Sequence, residues 1–322
     1  PPGRRPPRPL RVVVSPASSP RVVRLATRGS PLARWQADHV AGLIRTRYPE
    51  VVVETVVVTT EGDRRQDAPI WQIGGKGLFV REVQAAVLDG RADAAVHSAK
   101  DMPAQHPDGL VLAAIAPRAD AGDVLIGGRL VDLPPGARIG TGAPRRRAQL
   151  AHLRPDLTFA ELRGNIATRL AAAASHPIVM AAAALDRLGV DPTEHGLEVD
   201  ALDHADLLPQ VGQGAIAVET RSGQNGIVDL LDAVDDESSH RAVAAERAFL
   251  GELGGDCDLP CGAHAVVAGD GTIRLDAMLA SLDGRVLVRH TDTGVDAAAL
   301  GYAVGRALLG EAGGSALLEN AR

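Results

Sequence analysis

The sequence predicts an α/β protein: two related α/β units facing each other across a cleft, followed by a small α+β unit with a three-stranded antiparallel sheet. Three observations carry this reading. Short apolar runs alternate with stretches of helical spacing from Val22 onward, and the same theme restarts after Asp123. From about residue 237 it gives way to a long helix and two hairpin signals. At 322 residues the chain is also too long for one ordinary core.

Residues 1–20, rich in Pro, Arg and Ser, read as a disordered extension. Their apolar run at 10–14, interrupted by Arg11, is short for a targeting peptide. Residues 22–26 read as a strand. Ser30-Pro31 is an N-cap followed by proline at the first helical position. Leu32, Trp35, His39, Val40 and Leu43 then share one helix face. Residues 51–59 are a second strand. The turn GGKG at 74–77 opens a helix through Leu88, and 92–97 form a third strand. This alternation implies a parallel sheet, with ligands gathering at the carboxyl ends of its strands.

The second unit reads as strand 138–141, helix 144–153, strand 157–162, helix 166–174 and strand 178–181. A helix over 238–253 then leads into GGDCDLPCG. Strands at 265–267, 273–279 and 286–290 flank the turns Asp270-Gly271 and Asp283-Gly284, and an alanine-rich helix from Asp296 closes the chain.

Composition narrows the function. With 45% hydrophobic and 23% charged residues the chain is a globular protein. Aromatics at 2% leave the cores to Ala, Val, Leu and Ile and supply few base-stacking surfaces, and a net charge of −6 gives no reason to expect nucleic acid. Two cysteines are too few for a disulfide framework and make a poor zinc site, which suits the reducing cytosol. No apolar stretch approaches membrane-spanning length. Neither a metal cluster nor a phosphate-binding P-loop is present.

Arginines stand at loop-to-helix junctions: Arg28 in TRGS, Arg145, Arg146 and Arg147 in GAPRRR, Arg163 in LRGN and Arg169 in ATRL. Such junctions offer backbone N–H groups and the positive end of a helix dipole, and guanidinium forks bind carboxylates bidentately. Any one of these arginines is equally well explained as a solvated face. Together they point to one cleft and a polyanionic ligand. The chain has two lysines, Lys76 and Lys100, both in the first unit. A compact ammonium fits a tight turn, and its pKa responds to its surroundings.

Asp101 ends an apolar strand in VHSAKDMP, where a carboxylate serves as general acid or base or stabilises a developing cation. Capping the turn before Pro103 is the structural alternative. His97 reads as structural rather than catalytic. Cys257, in a glycine-rich loop, suits a covalent attachment point, though a loop cysteine is also simply a small apolar residue. Cys261 reads as packing.

Taken in order, RLATRGSPLARWQA, TEGD, GGKGLFVREV, AVHSAKDMP, GAPRRRAQL, ELRGNIATRL, VGQGAIAVE and ERAFL…GGDC resemble the porphobilinogen deaminase (hydroxymethylbilane synthase) family over roughly residues 22–290. The resemblance implies a transferase of porphyrin and haem biosynthesis. It joins four porphobilinogen units head to tail, with release of ammonia, into the linear tetrapyrrole hydroxymethylbilane. The implied primer is a dipyrromethane cofactor held as a thioether on Cys257. The implied architecture is a periplasmic-binding-protein-like pair of βα domains, 21–117 with 214–234 and then 118–213, followed by a third domain, 237–322.

By motif position, Asp101 is the catalytic carboxylate, which assists proton transfer and stabilises the positive pyrrole nitrogens formed as each unit becomes an azafulvene cation. Lys100, Arg145, Arg146, Ser30, Thr141 and Asp63 join Cys257 in holding the cofactor. Arg28, Arg163, Arg169, Lys76 and Gln36 bind substrate. Each porphobilinogen carries an acetate and a propionate, so the growing chain is the polyanion that the arginines require. An ammonium at Lys100 holds a cofactor carboxylate while leaving Asp101 available, where the wide fork of a guanidinium would tie it up. The implied partners are porphobilinogen and uroporphyrinogen III synthase, which takes the product. Nucleic acid, membrane and metal are not implied, and the chain reads as a cytoplasmic monomer.

Some positions depart from the family pattern. GTSS reads GTGA here, so Gly142 and Ala143 remove two hydroxyl donors, with Arg147 a candidate to compensate. A family glycine is Ala184, and AAAASHPIVM lacks a usual acidic residue. Two other readings share the architecture: a periplasmic-binding-type module, and a diverged homologue that binds a polyanionic tetrapyrrole without catalysis.

Overall fold

In the computed structural model, which describes residues 21–60, 80–254, 259–310 and 313–321, the first strand and helix form close to where the sequence puts them. β1 (Val22–Arg28) buries Val23, Leu25 and Ala26. α1 (Pro31–Arg47) starts at Ser30, whose hydroxyl accepts from the Ala33 N–H at 3.3 Å. The buried face of α1 is Gln36, Ala37, Val40, Ala41 and Ile44, one step round from the predicted face. The aromatic Trp35 instead lies at the flank, stacked on His39 at 5.1 Å.

β2 (Val52–Val58), α2 (Arg81–Leu88), β3 (Ala94–Ser98) and β4 (Leu110–Ile115) complete the first pass. The chain crosses to a second unit of β5 (Asp123–Ile126), β6 (Arg138–Gly140), α3 (Pro144–Leu153), β7 (Thr158–Ala160), α4 (Ile166–Ala173), β8 (Ile178–Ala181), α5 (Ala182–Leu188) and β9 (Val199–Leu202). It returns through β10 (Ile216–Arg221) and α6 (Asn225–Leu231). A third unit follows: α7 (Glu237–Glu252), β11 (Cys261–Val267), β12 (Ile273–Ala280), β13 (Leu287–Gly294), α8 (Ala297–Leu309) and α9 (Ser315–Ala321). Helix α9 lies beyond the helix expected to close the chain.

The sheets run β2-β1-β3-β10-β4, β7-β6-β8-β5-β9 and β11-β12-β13. They are not the all-parallel sheets expected from βαβ alternation. β1, β2 and β3 are parallel, as are β6, β7 and β8, but β10 is antiparallel to both β3 and β4, and β5 to both β8 and β9. Each antiparallel intruder is the strand by which the chain arrives from the other unit. Its direction is therefore set by the crossover and not by a βαβ repeat. The third sheet is an antiparallel meander, as expected.

Aliphatic residues fill the cores, as the scarcity of aromatics requires. Leu25, Val40, Ile44, Val96, Ile216 and Val218 pack the first unit, and Leu125, Ile139, Leu150 and Val179 the second. Phe249 of α7 packs with Cys261, Ile273, Leu275 and Val304 in the third, so Cys261 is a core residue. Among the described residues no helix is long and apolar enough to cross a membrane.

Candidate active site

The two crossovers meet beside the carboxyl end of β3. There Ala99 donates its N–H to Ala215 of the return crossover at 3.0 Å, and Ala99 and Met102 are both buried. The single turn between them, Ala99–Asp101, is thus pinned from below and brings Lys100 to the gap between the units. Gly212 permits this approach: its φ is positive, and a Cβ there would lie 3.0 Å from Ala99. Gly214, also at positive φ, lets the two crossovers pass, since a Cβ there would lie 2.5 Å from the Ala119 carbonyl oxygen. The gap, about 20 Å³, is lined by Leu32, Ser98, Lys100, Ala184, Arg187 and Gly212 among others.

Lys100 is half-buried, and its Nζ donates to Gln213 Oε1 at 3.3 Å. Its pKa is lowered to about 8, first by desolvation and next by Arg146, with Asp101 and Asp123 opposing and Arg145 adding. Arg169 feels the same surroundings. Desolvation and then Arg146 lower its pKa, Asp101 opposes, and Arg163 adds. The structure therefore brings Lys100, Asp101, Arg145, Arg146, Arg163 and Arg169 into one electrostatic cluster. Of the loop-to-helix arginines, Arg145, Arg146, Arg163 and Arg169 share this cluster, whereas Arg147 lines a different cavity.

The two carboxylates of this cluster differ. Asp123 is 1% exposed and saturated: its Oδ2 takes Arg145 Nη2 at 2.8 Å, and its Oδ1 takes Arg146 Nη2 at 2.7 Å and Gln213 Nε2 at 2.8 Å. Burial alone would raise its pKa, but the two guanidiniums and these hydrogen bonds hold the carboxyl far below the usual range. Asp101 is half-buried and makes no hydrogen bond or ion pair with any described residue, so it does not cap the following turn. One carboxylate is structural, and the other is available to a ligand.

The remaining predicted residues fall as follows. Arg146 completes its bonding with the Val179 carbonyl at 3.1 Å; Arg145, 1% exposed, also donates to the Leu208 carbonyl. Both thus back the site through Asp123. Gln36 Nε2 donates to Ser98 Oγ at 2.8 Å, Ser30 caps α1, and Thr141 Oγ1 accepts from the Ala143 N–H at 3.3 Å. Arg28 ends β1 and is half-buried. Arg147 is exposed, over the Phe159 ring, and lines a cavity of about 350 Å³ with Thr141, Gly142, Ala143, Glu161 and Asp283. That cavity opens where the hydroxyls of GTSS are missing. His97 lies 3.1 Å from Glu219 Oε2 inside the sheet, a structural role as expected. Asp63, Lys76, Cys257 and the GGKG turn lie outside the described residues.

Sequence reading missed Arg187, Gln213 and Asp123. Arg187 lies in the last turn of α5, reaches Gly214 O at 2.6 Å and covers the Trp35 ring at 5.7 Å, closing one side of the gap. An arginine in the last turn of a helix reads as a simple dipole partner, and the partner of a buried carboxylate cannot be read from its local sequence.

Comparison with known proteins decides the family. The family model described as porphobilinogen deaminase, dipyromethane cofactor binding domain, matches residues 23–229, and that of the porphobilinogen deaminase C-terminal domain matches 240–310. The chain belongs to the porphobilinogen deaminase family. Porphobilinogen deaminases of Nitratidesulfovibrio vulgaris, Syntrophobacter fumaroxidans and Geobacter metallireducens are 43%, 43% and 41% identical to it. These matches cover 85%, 93% and 94% of this chain and 87%, 97% and 95% of those proteins. Among solved structures, the periplasmic aliphatic sulphonate binding protein SsuA from Escherichia coli is similar with a TM-score of 0.39, at 15% identity over 72% of this chain and 70% of its own.

The chain is therefore an enzyme of this family, a transferase of tetrapyrrole synthesis that acts on porphobilinogen and uses a dipyrromethane cofactor. The non-catalytic alternatives are not favoured. The donor set fits that cofactor. A dipyrromethane carries an acetate and a propionate on each ring, and the cluster around Lys100 is rich in cations whose one structural counter-ion, Asp123, is already spent on Arg145 and Arg146.

Proposed function

We propose that Asp101 is the catalytic carboxylate of the four-step polymerisation of porphobilinogen to hydroxymethylbilane. The observation that carries this is the carboxylate of Asp101, without a hydrogen bond or ion pair to any described residue, within a cluster of cations. There it can accept a hydrogen bond from the substrate's pyrrole N–H, stabilise the positive charge developing on that nitrogen as ammonia departs, and carry a proton on its own oxygen. Lys100, with Ser30, Thr141 and Asp63, holds carboxylates of the cofactor, and Arg145 and Arg146 support that binding from behind. Arg28, Arg163, Arg169, Lys76 and Gln36 take the carboxylates of incoming substrate. When bound through Cys257, the dipyrromethane would supply the pyrrole α-carbon to which each unit is joined.

In this reading residues 21–117 with 214–234 form the catalytic domain, 118–213 the carboxylate-binding domain, and 237–322 the domain bearing Cys257. The protein works as a cytoplasmic monomer and passes its product to uroporphyrinogen III synthase. Replacing Asp101 by Asn tests the proposal. Ammonia release should fall by about 10²–10⁴-fold with primer loading retained. A loss below about tenfold would remove Asp101 from the chemistry.

A further inference from the structure

Where the crossovers meet, one neutral side chain touches the outbound crossover, Asp123 and Lys100. Gln213 is 1% exposed. Its Nε2 donates to Ala121 O at 2.7 Å and Gly122 O at 3.2 Å on the outbound crossover, and to Asp123 Oδ1 at 2.8 Å. Its Oε1 accepts from Lys100 Nζ at 3.3 Å, and its backbone carbonyl accepts from Arg118 Nε at 2.9 Å. The amide therefore cannot flip. Its NH₂ end is claimed by three oxygens, so its oxygen must face the ammonium.

We propose that Gln213 is a positioning residue for the coupling reaction: it fixes the direction of the Lys100 ammonium and ties it to the hinge formed by the two crossovers. An ammonium has three donors on a flexible stem and no preferred direction of its own. Gln213 anchors one of these donors at 3.3 Å. The same amide locks Asp123, and through it Arg145 and Arg146, so a displacement of one crossover against the other disturbs both cationic groups together. A neutral acceptor suits this place. Asp123 already supplies the nearby negative charge, and a second buried carboxylate 2.8 Å from it would share a proton with it.

The inference rests on the reading that Lys100 holds ligand carboxylates, but its test does not depend on activity. With only Lys76 and Lys100 in the chain, protein labelled with ¹³C-lysine shows two Cε signals, assigned with Lys76→Arg. The midpoint of the Lys100 signal is followed with pH in the wild-type chain, in the near-isosteric Gln213→Met, and in Gln213→Glu, which keeps an acceptor oxygen toward Lys100 whether or not it is ionised. In Gln213→Met the midpoint should fall by about one pH unit, a tenfold change in ionisation constant. In Gln213→Glu it should remain at or above the wild-type value. Primer loading should be slower in Gln213→Met than in the wild-type chain. An unmoved midpoint in Gln213→Met, or an equal fall in both variants, overturns the proposal, since a packing defect would act alike in each. A Lys100 midpoint that is the same in the primer-bearing chain and in Cys257→Ser would sink the parent reading and leave the Gln213 comparison standing.

Discussion

Asp123→Asn removes one charge where two guanidiniums depend on it. In the wild-type chain Arg145 and Arg146 approach Asp123 at 2.8 and 2.7 Å, with the carboxylate fully buried and the arginine side chains 2% and 9% exposed. Asparagine keeps the shape and one acceptor, but leaves two cations in a low-dielectric setting with no counter-charge. Breaking a buried pair on one side costs about 3–5 kcal/mol. The affected guanidiniums lie beside Lys100 and Arg169, so the loss should reach the site as well. Urea unfolding of the full chain, followed at several wavelengths to expose any partial unfolding, measures the cost. Asp156→Asn is the control, since the Arg154–Asp156 pair is solvent-exposed, and it should show no comparable loss. The pH dependence has a fixed sign. Because the folded carboxyl is held far below its unfolded value of about 3.9, its stabilisation is full above that pH. It fades as pH falls toward the depressed folded value, and Asp123→Asn should lack this acid-side loss. An Asp123→Asn chain no less stable than Asp156→Asn would refute the argument that Asp123 is the structural keystone of the cationic cluster.

Other outcomes follow from the same geometry. Lys100→Arg should lower turnover by more than about threefold with primer loading intact, because the wider fork engages Asp101; a smaller change contradicts the ammonium argument. With its pKa lowered to about 8, Lys100 holds its charge below that pH without help, whereas above it each bound carboxylate must recruit a proton. The rate of primer loading should then fall by up to about tenfold per pH unit above 8, and a pH profile of Lys100→Arg should lack that fall. Ala143→Ser, which returns a hydroxyl to the cavity beside Thr141, should lower KM by up to about tenfold. Gly142→Ser should help less, since its Cβ would meet Leu162 O at 3.0 Å. Gly214→Ala should lower thermal stability, because it forces a side chain to positive φ against the Ala119 carbonyl.

Local chemistry made much of the fold legible. Pro144–Leu153 and Ile178–Ala181 were predicted to the residue, because proline, a flanking glycine-rich turn and an unbroken apolar run punctuate them. The antiparallel placements of β5 and β10 were not legible, since they are set by crossovers that join distant parts of the chain. The helix face of α1 was misread by one step because Trp35, apolar by type, packs at the flank under Arg187. In the site, Lys100 and Asp101 stood out by rarity and by position at a strand end. What distinguishes Asp101 from Asp123 is which guanidiniums reach each of them, and those partners lie in other segments. Arg187 and Gln213 escaped for the same reason: their meaning is in contacts formed only when the units close on one another.

The central claim is that this chain assembles porphobilinogen on a primer carried by its own Cys257. Intact mass of the purified full chain, beside Cys257→Ser, tests it most directly. The wild type should exceed its chain mass by two deaminated porphobilinogen units, the variant should carry no such excess, and added porphobilinogen should build a ladder of single-unit steps on the wild type alone. A wild-type chain that stays at its bare mass after substrate is supplied would contradict the account.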